Sequence, residues 1–268
     1  MNRRLIYSQR KNMFDEKEKK MYAAICRHDG IKAREIAKEI GEEKGDINHL
    51  LYNAPFIHEL CWRDSEYRWH GLIRQDRPHR GLGHFCGWYG TVSRFLSQTE
   101  EEWLEELKEG CHNIGRNLND TRGLIHSFTD SRSVMERLFK DLEELSAPGD
   151  AGEFAEWELC FELRIKRSRR IRIYADVLVI TKDKVFSLEF KMKDAIDPDE
   201  ELQAVKYAPY LDVIFGEPYE VIPALVLTRA QDLYSWQQVP GSTAEIPVCS
   251  GDMLFNLFDE FMRFLDGA

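Results

Sequence analysis

The segment from Arg170 to Asp194 constrains the fold most strongly, because its side chains alternate as two adjacent strands require. Apolar residues occupy every second position from Ile171 to Val179, and Asp176 is one of the residues between them. Thr181–Lys184 is a polar stretch typical of a turn, and Val185–Met192 is predicted to be the next strand. The sequence therefore predicts two neighbouring strands of a sheet.

Three ionisable residues of this pair of strands are predicted to meet. Glu189 and Lys191 are two positions apart and point the same way, and the neighbouring strand can bring Asp176 beside them. Two carboxylates suit a hard cation such as Mg²⁺, which neutralises phosphate charge and lowers the pKa of a bound water. Lys191 is expected to position that water or offset charge in the transition state. The alternative is a surface hairpin with solvated charges, although idle charges are costly in so apolar a strand.

The order of these residues resembles the PD-(D/E)XK nuclease superfamily. Asp176 corresponds to its first acid and Glu189-Phe190-Lys191 to its (D/E)XK element. Gln203 and Tyr207 are similar to the QxxxY motif of the RecB-like branch, and on one predicted helix they share a face beside the site. The apolar run Val221–Thr228 is then the next buried strand. An unrelated α/β sheet is the alternative.

The chain departs from the family pattern in two respects. Ala175 stands where the family has a proline before the first acid. The upstream glutamate that many members carry has several candidates, which are Glu143, Glu144, Glu158 and Glu162. Glu162 is preferred, because in a strand over Glu158–Ile165 it lies on the face that carries the basic side chains. A solvated strand carboxylate is the alternative for Glu162.

A basic stretch follows Glu162. Its six cations are Arg164, Lys166, Arg167, Arg169, Arg170 and Arg172. As the tip of a hairpin beside the predicted site, this stretch is expected to contact phosphates, with a solvated turn as the alternative. The net charge of −10 argues against binding of nucleic acid through overall charge, so any binding is expected to be local.

Residues 1–73 are predicted to form a winged helix-turn-helix. Helices are expected at Glu16–His28, Ile31–Ile40 and Asp46–Asn53, and the wing is expected to be a hairpin of Phe56–Cys61 and Tyr67–Leu72. Lys44, Asn48, Tyr52 and Trp69 are spaced like four residues of the same types that Zα domains use to bind Z-form nucleic acid, so this module also resembles Zα domains. Missing family residues, including the proline pair before the tryptophan, favour ordinary duplex binding or a protein contact instead.

The residues of this module expected to face nucleic acid are Lys44, Asn48, His49, Tyr52 and Trp69. Nearby acidic residues make the face a weak electrostatic binder. The alternative is that Tyr52 and Trp69 pack the wing against the third helix.

Residues 74–124 are predicted to be a helical connector, with an acidic helix at Glu100–Glu109 capped by Thr99. Residues 125–268 are predicted to be the nuclease-like domain. It contains a helix at Asp130–Leu145, a linker at Ser146–Asp150 and an apolar helix at Asp252–Leu265. That last helix is expected to cover the sheet or to form a dimer contact.

The six cysteines are scattered without a CxxC pair, which predicts reduced thiols in a cytoplasmic protein. No apolar run is long enough for a membrane span, and no signal-peptide pattern opens the chain, so no membrane partner is expected. The spacing of His79, His84 and Cys86 matches no zinc site.

These patterns together predict an α+β/α/β protein, with an amino-terminal winged helix-turn-helix, a helical middle and a restriction-endonuclease-like α/β core containing a mixed central sheet. The resemblance implies a DNA nuclease that uses Mg²⁺ or Mn²⁺ held by Asp176 and Glu189, with a role in prokaryotic defence or DNA processing. The alternatives are an inactive nuclease-fold regulator that binds DNA, or a subunit activated by a partner protein. The expected partners are nucleic acid, most simply DNA, and either a second copy in a homodimer or another protein.

Overall fold

A computed structural model of the chain describes residues 15–28, 30–54, 57, 60–71, 82–116, 118, 121–145, 153–167, 172–216 and 218–263. The predicted linker at 146–150 and His79 lie outside these residues. In the part of the chain that the structure describes, no helix combines the length and apolar character needed to cross a membrane. All six cysteines are buried and free of disulfides.

Three helices and a hairpin form the amino-terminal part. They are α1 (Glu16–Arg27), α2 (Ala33–Ile40), α3 (Lys44–Asn53) and the antiparallel strands β1 (Cys61–Arg63) and β2 (Trp69–Gly71). The Asp15 side chain caps α1, and α2 ends at Gly41 with φ of 73°, a conformation that favours glycine. A bridge between Ile31 and Trp69 ties the hairpin to the segment that enters α2.

The hairpin departs from the prediction in its first strand only, because β2 lies within the predicted Tyr67–Leu72. Its first strand begins at Cys61, not at Phe56, which is outside the described residues. Ile57 and Leu60 are helical and fully buried, so their spacing of three residues is that of a helix face rather than of a strand.

A seven-stranded sheet forms the centre of the remaining chain. Its strands are β3 (Trp88–Thr91), β4 (Glu158–Arg167), β5 (Arg172–Ile180), β6 (Lys184–Lys191), β7 (Glu220–Leu227), β8 (Tyr234–Gln238) and β9 (Glu245–Ser250). The order is β3-β4-β5-β6-β7-β9-β8; the β6–β7 and β7–β9 pairs are parallel and the other pairs antiparallel. The prediction of an α/β protein with a mixed central sheet is therefore confirmed.

Two sets of helices pack against this sheet. The helices of this part are α4 (Val92–Ser97), α5 (Glu100–Asn113), α6 (Thr121–Leu145), α7 (Pro198–Val205), α8 (Ala208–Phe215) and α9 (Leu254–Met262). Residues of α4, α5, α6 and α9 share one buried cluster with β6, in which Phe258 stacks on Phe186 with ring centroids 4.1 Å apart. Thus α9 covers the sheet, the first of its two predicted roles. Residues of α8 share a second cluster with β5 and with α1–α3.

One strand of the sheet comes from the segment predicted to be a helical connector. β3 pairs with β4 from Trp88↔Phe161 to Thr91↔Glu158, with Trp88 and Gly90 buried. The sequence does not indicate this strand, because the glycines around it have low strand propensity. Their burial depends on the pairing of β3 with β4, which the local sequence does not reveal. The acidic helix is present and begins at the capping box of Thr99, as predicted.

Candidate active site

The site lies where β5 and β6 stop pairing. Their ladder runs from Ile180↔Val185 to Val177↔Leu188, and Asp176 is the next residue of β5. One oxygen of the Asp176 carboxylate accepts a hydrogen bond of 2.9 Å from the backbone N–H of Phe190. The carboxylate thus takes a position that a ladder carbonyl would occupy, and this bond fixes it against β6.

Glu189 and Lys191 lie on the part of β6 beyond this point. The strand continues there because it remains paired with β7 through Lys191↔Leu227. Lys191 Nζ lies 2.7 Å from Glu189 Oε1, while Glu189 is only 1% exposed. The other oxygen of Glu189, Oε2, is buried and has no hydrogen-bond partner among the described residues. A buried carboxylate oxygen of this kind is costly unless a cation or a donor reaches it.

Glu162 is the upstream glutamate that joins this group. It lies on β4 between the pairs Phe161↔Val177 and Leu163↔Ala175, which places it opposite Asp176. Its φ is 56°, in the left-handed region, which costs a non-glycine residue about 1–3 kcal/mol and is found most often at functional sites. Glu162 is 4% exposed, and its Oε2 pairs with Arg116 Nε at 2.9 Å.

The other candidates for that position do not enter the group. Glu143 and Glu144 are exposed on α6. Glu158 lies at the first position of β4 and accepts a hydrogen bond from the hydroxyl of Tyr89. Only Glu162 among the four therefore lies beside Asp176 and Glu189.

Burial and mutual repulsion leave these carboxylates poorly compensated. Burial, and then the charge of Asp176, raise the pKa of both Glu162 and Glu189 to about 8. The pKa of Asp176 is also raised by burial, although Lys191 and the N–H of Phe190 oppose the shift. Burial would lower the pKa of Lys191, but Glu189 and Asp176 outweigh it and keep the ammonium charged. The charges of the three acids thus act on one another and on the cations of Lys191 and Arg116.

These residues fit a divalent cation. Glu189 Oε2 has no hydrogen-bond partner among the described residues, and the pKa values of Glu162 and Glu189 are raised. Both observations indicate that added positive charge would stabilise the site. Within the described ranges, no three His, Cys, Asp or Glu side chains are already grouped around a common ion position. Lys191 and Arg116 instead occupy carboxylate oxygens of Glu189 and Glu162.

The QxxxY residues contact each other, but not from one helix as predicted. Helix α7 ends at Val205, and Tyr207 is the residue before α8. Pro209 explains the break, because it has no N–H to donate to the carbonyl of Val205. Gln203 Nε2 still lies 3.3 Å from the Tyr207 hydroxyl, and burial followed by the charge of Glu189 raises the pKa of that hydroxyl.

A cleft of about 550 Å³ opens onto Asp176. It is lined by Arg116, Ile173, Tyr174, Asp176, Asp199, Leu202, Gln203, Lys206 and Tyr207. Asp176 and the QxxxY pair therefore face the same space, and Glu189 and Glu162 lie deeper. The cleft is therefore open to solvent beside Asp176.

Arg116 is the site residue that the sequence did not reveal. It follows α5 in the segment predicted to be a helical connector, and it reaches the acids from outside the predicted core. Its side chain contacts Glu162, and its guanidinium carbon lies 4.4 Å from the centre of the Tyr174 ring. No local pattern marks such a residue, because its role depends on how α5 packs against β4.

The amino-terminal residues expected to face nucleic acid fall into two groups. Lys44, His49 and Tyr52 are exposed on α3 and Asn48 is half-buried. Trp69 is 4% exposed, and its ring meets that of Tyr52 edge-on with centroids 5.7 Å apart. Trp69 therefore packs the hairpin against α3, as the alternative interpretation held.

An arginine on the hairpin extends the exposed face of α3. The guanidinium of Arg63 lies over the rings of Tyr52 and Tyr67, at 5.4 and 4.6 Å from their centres. Arg63 and Tyr67 were not among the predicted contacts, although Arg63 lies in the turn of the predicted hairpin and Tyr67 begins its predicted second strand.

The basic stretch is described only at its ends. Arg167 and Arg172 pair where β4 and β5 meet, and nothing is described of their side chains. Arg169 and Arg170 lie outside the described residues.

The chain was also compared with known proteins. No protein-family model matches it, and no curated protein is similar to it in sequence.

Proposed function

We propose that this protein is a metal-dependent nuclease that cleaves phosphodiester bonds of DNA on a PD-(D/E)XK-type, restriction-endonuclease-like core. The observation that carries the proposal is the meeting of Asp176, Glu189 and Lys191 where β5 and β6 separate. Glu162 opposite Asp176, and Gln203 with Tyr207 at the cleft, add the remaining parts that the resemblance implies.

Each side chain has a distinct role in this proposal. Asp176 and Glu189 would hold Mg²⁺ or Mn²⁺, and the bare Glu189 oxygen offers a ligand. When bound, such a cation neutralises phosphate charge and lowers the pKa of a coordinated water. Lys191 stays charged and partly exposed, so its ammonium orients the attacking water or offsets charge on the phosphate in the transition state. Tyr207 and Gln203 shape the wall of the cleft.

The amino-terminal part is proposed to be a winged helix-turn-helix that engages the nucleic acid. Support comes from three short helices, a hairpin held by the Ile31–Trp69 bridge, and the exposed face of Tyr52, Arg63 and Tyr67. Aromatic rings and an arginine suit contact with bases and phosphates. Lys17 pairs with Glu42 at 2.7 Å and with Asp46 at 3.3 Å, which reduces the negative charge beside this face.

One observation favours a second candidate function. Lys191 and Arg116 already offset part of the charge of Glu189 and Glu162 without an ion, as a site that does not cut DNA would also allow. A regulator that binds DNA through the amino-terminal part, or a subunit that is activated by a partner, would use the same fold without cutting alone.

Incubation with nucleic acids tests the proposal. Purified protein is given single- and double-stranded DNA and RNA in Mg²⁺, Mn²⁺ or EDTA, beside Asp176→Asn and the matched control Asp183→Asn in the exposed turn before β6. We expect cleavage of DNA that needs the metal, is lost in Asp176→Asn and is retained in Asp183→Asn. Binding without cleavage under every condition would contradict the nuclease proposal and favour the regulator.

A further inference from the structure

The segment that carries Arg116 is held rigidly against the sheet. A Cβ added to Gly110 in α5 would lie 1.9 Å from the carbonyl oxygen of Gly87, so the helix and the segment before β3 touch backbone to backbone. Gly87 in turn donates to the carbonyl of Phe161, next to Glu162, at 2.9 Å. After the helix, Arg164 donates to the carbonyl of Ile114 at 3.0 Å. Arg116 thus leaves a fixed turn rather than a free loop.

The guanidinium itself is oriented by two neighbours. Nε and Nη2 approach the two oxygens of Glu162 at 2.9 and 3.4 Å, and the plane of Tyr174 supports the guanidinium at 4.4 Å. A guanidinium carries five N–H donors, and Glu162 occupies only part of them. The side chain of Arg116 is 27% exposed and lines the cleft beside Asp176. Its remaining donors therefore face the space that a substrate would enter.

The charges around the cleft leave few groups that could receive a phosphate. Asp176 and Asp199 line it and repel an anion, while Lys191 is not among the residues that line the cleft. Lys206 is exposed at the rim of the cleft, so ordering its flexible side chain on a ligand would cost rotamer freedom. Arg116 is the lining cation whose direction is already fixed, and a fixed guanidinium matches two phosphate oxygens at once.

We propose that Arg116 binds a phosphate group of the nucleic-acid strand in the cleft, with Glu162 and Tyr174 holding it in the binding orientation. This inference rests on the proposed function, because it needs a nucleic acid as the ligand. It assigns a substrate contact to the connector, outside the core that carries the acids.

Binding measurements test this assignment. Arg116→Gln and Arg116→Lys are compared with the control Arg229→Gln, which removes an arginine that pairs with Asp130 at 2.8 Å and is not among the residues lining the cleft. Affinity for a labelled DNA duplex and its single strand is followed by fluorescence anisotropy in Ca²⁺ over a range of salt. We expect Arg116→Gln to weaken binding about 10- to 100-fold and to lower the salt slope by about one. Arg116→Lys should lose less, and Arg229→Gln should match the wild type.

The outcomes separate this inference from the proposed function. If the wild type binds and cuts DNA while Arg116→Gln binds with unchanged affinity and salt slope, the phosphate contact is wrong and the nuclease stands. Loss of cleavage alone, with affinity unchanged, would show that Arg116 only positions Glu162. If the wild type binds no nucleic acid, both proposals fail. Arg116→Lys keeps the charge, so it preserves the test if Arg116→Gln does not fold.

Discussion

The carboxylate of Asp176 accepts a hydrogen bond from the backbone N–H of Phe190, across the point where their two strands separate. A single side chain thus both holds β6 in place and presents an acid to the cleft. The loss of pairing between β5 and β6 creates the room for the candidate site, which therefore lies at the irregular part of the sheet.

Two substitutions of Asp176 should therefore differ in stability. Asp176→Asn keeps an oxygen that accepts from Phe190, and we expect its free energy of unfolding to stay within about 1 kcal/mol of the wild type. Asp176→Ala leaves that N–H without an acceptor and should lose about 1–3 kcal/mol, partly offset by removal of a strained charge. Urea denaturation in EDTA measures both. Equal stability of the two variants would contradict a structural role for this bond.

The raised pKa of Glu189 makes stability depend on pH in a definite direction. Because the folded pKa is about 8 and the unfolded carboxyl has its ordinary value of 4.5, the folded state holds the proton longer. Stability from this group is therefore lost as pH rises from 4.5 to 8. In EDTA at pH 8, Glu189→Gln should be more stable than the wild type by about 1–3 kcal/mol, and the gain should vanish near pH 4. A gain that is independent of pH would show that Glu189 is not strained by its charge.

Divalent ions should make the wild type more stable than Glu189→Gln at pH 8, which is the reverse of the order expected in EDTA. If the acids hold the ion, wild-type protein is stabilised by about 2.7 kcal/mol at an ion concentration one hundred times the dissociation constant. We expect Mn²⁺ and Mg²⁺ to raise the melting temperature of the wild type at pH 8 and to leave that of Glu189→Gln nearly unchanged. Glu143→Gln, on the exposed side of α6, is the matched control and should respond like the wild type. An equal response of all three proteins would place the ion elsewhere.

The contact between α5 and the segment before β3 should be intolerant of any side chain. Gly110→Ala would place a Cβ 1.9 Å from the carbonyl oxygen of Gly87, so the helix must shift. We expect a loss of more than about 3 kcal/mol and a displaced Arg116. The control is Gly123→Ala on α6, which meets nothing within 4 Å and should gain about 0.5–1 kcal/mol from helix propensity. Thermal unfolding of both variants tests this, and a stable Gly110→Ala would contradict the close approach.

The exposed face of the hairpin should contribute to nucleic-acid binding. Arg63 lies over Tyr52 and Tyr67, whereas Arg68 on the same hairpin pairs with Glu66 at 3.1 Å. We expect Arg63→Gln to weaken DNA binding several-fold, by roughly 1 kcal/mol, and Arg68→Gln to have little effect. Anisotropy titrations in Ca²⁺ compare them. If neither change alters affinity, the amino-terminal part has another partner.

The sequence was most informative where function and local pattern coincide. Alternation alone placed Glu189 and Lys191 on one side of a strand, because side-chain direction in a strand depends only on position. It also brought Asp176 close to them, since a short polar turn leaves few ways to arrange two consecutive strands.

The sequence was less informative where the outcome depends on distant packing. The helix break before Pro209 could have been foreseen from the missing N–H, but the QxxxY resemblance favoured a continuous helix. The role of Arg116 and the pairing of β3 could not be predicted from the sequence, because both depend on how α5 and β3 pack against β4. The left-handed conformation of Glu162 likewise has no signal in the sequence, where the residue continues an alternating strand pattern.

The most direct test of a catalytic site at the end of β6 is to compare DNA cleavage by Lys191→Ala and Lys184→Ala. Lys184 is the first residue of β6 and Lys191 is the last. Lys191 pairs with the buried Glu189, whereas Lys184 pairs with the exposed Asp183. With DNA and Mn²⁺, we expect Lys184→Ala to cut DNA at the rate of the wild type. Lys191→Ala should lose at least about 100-fold in rate while still binding DNA. Equal cutting by the two variants would contradict a catalytic site at the end of β6.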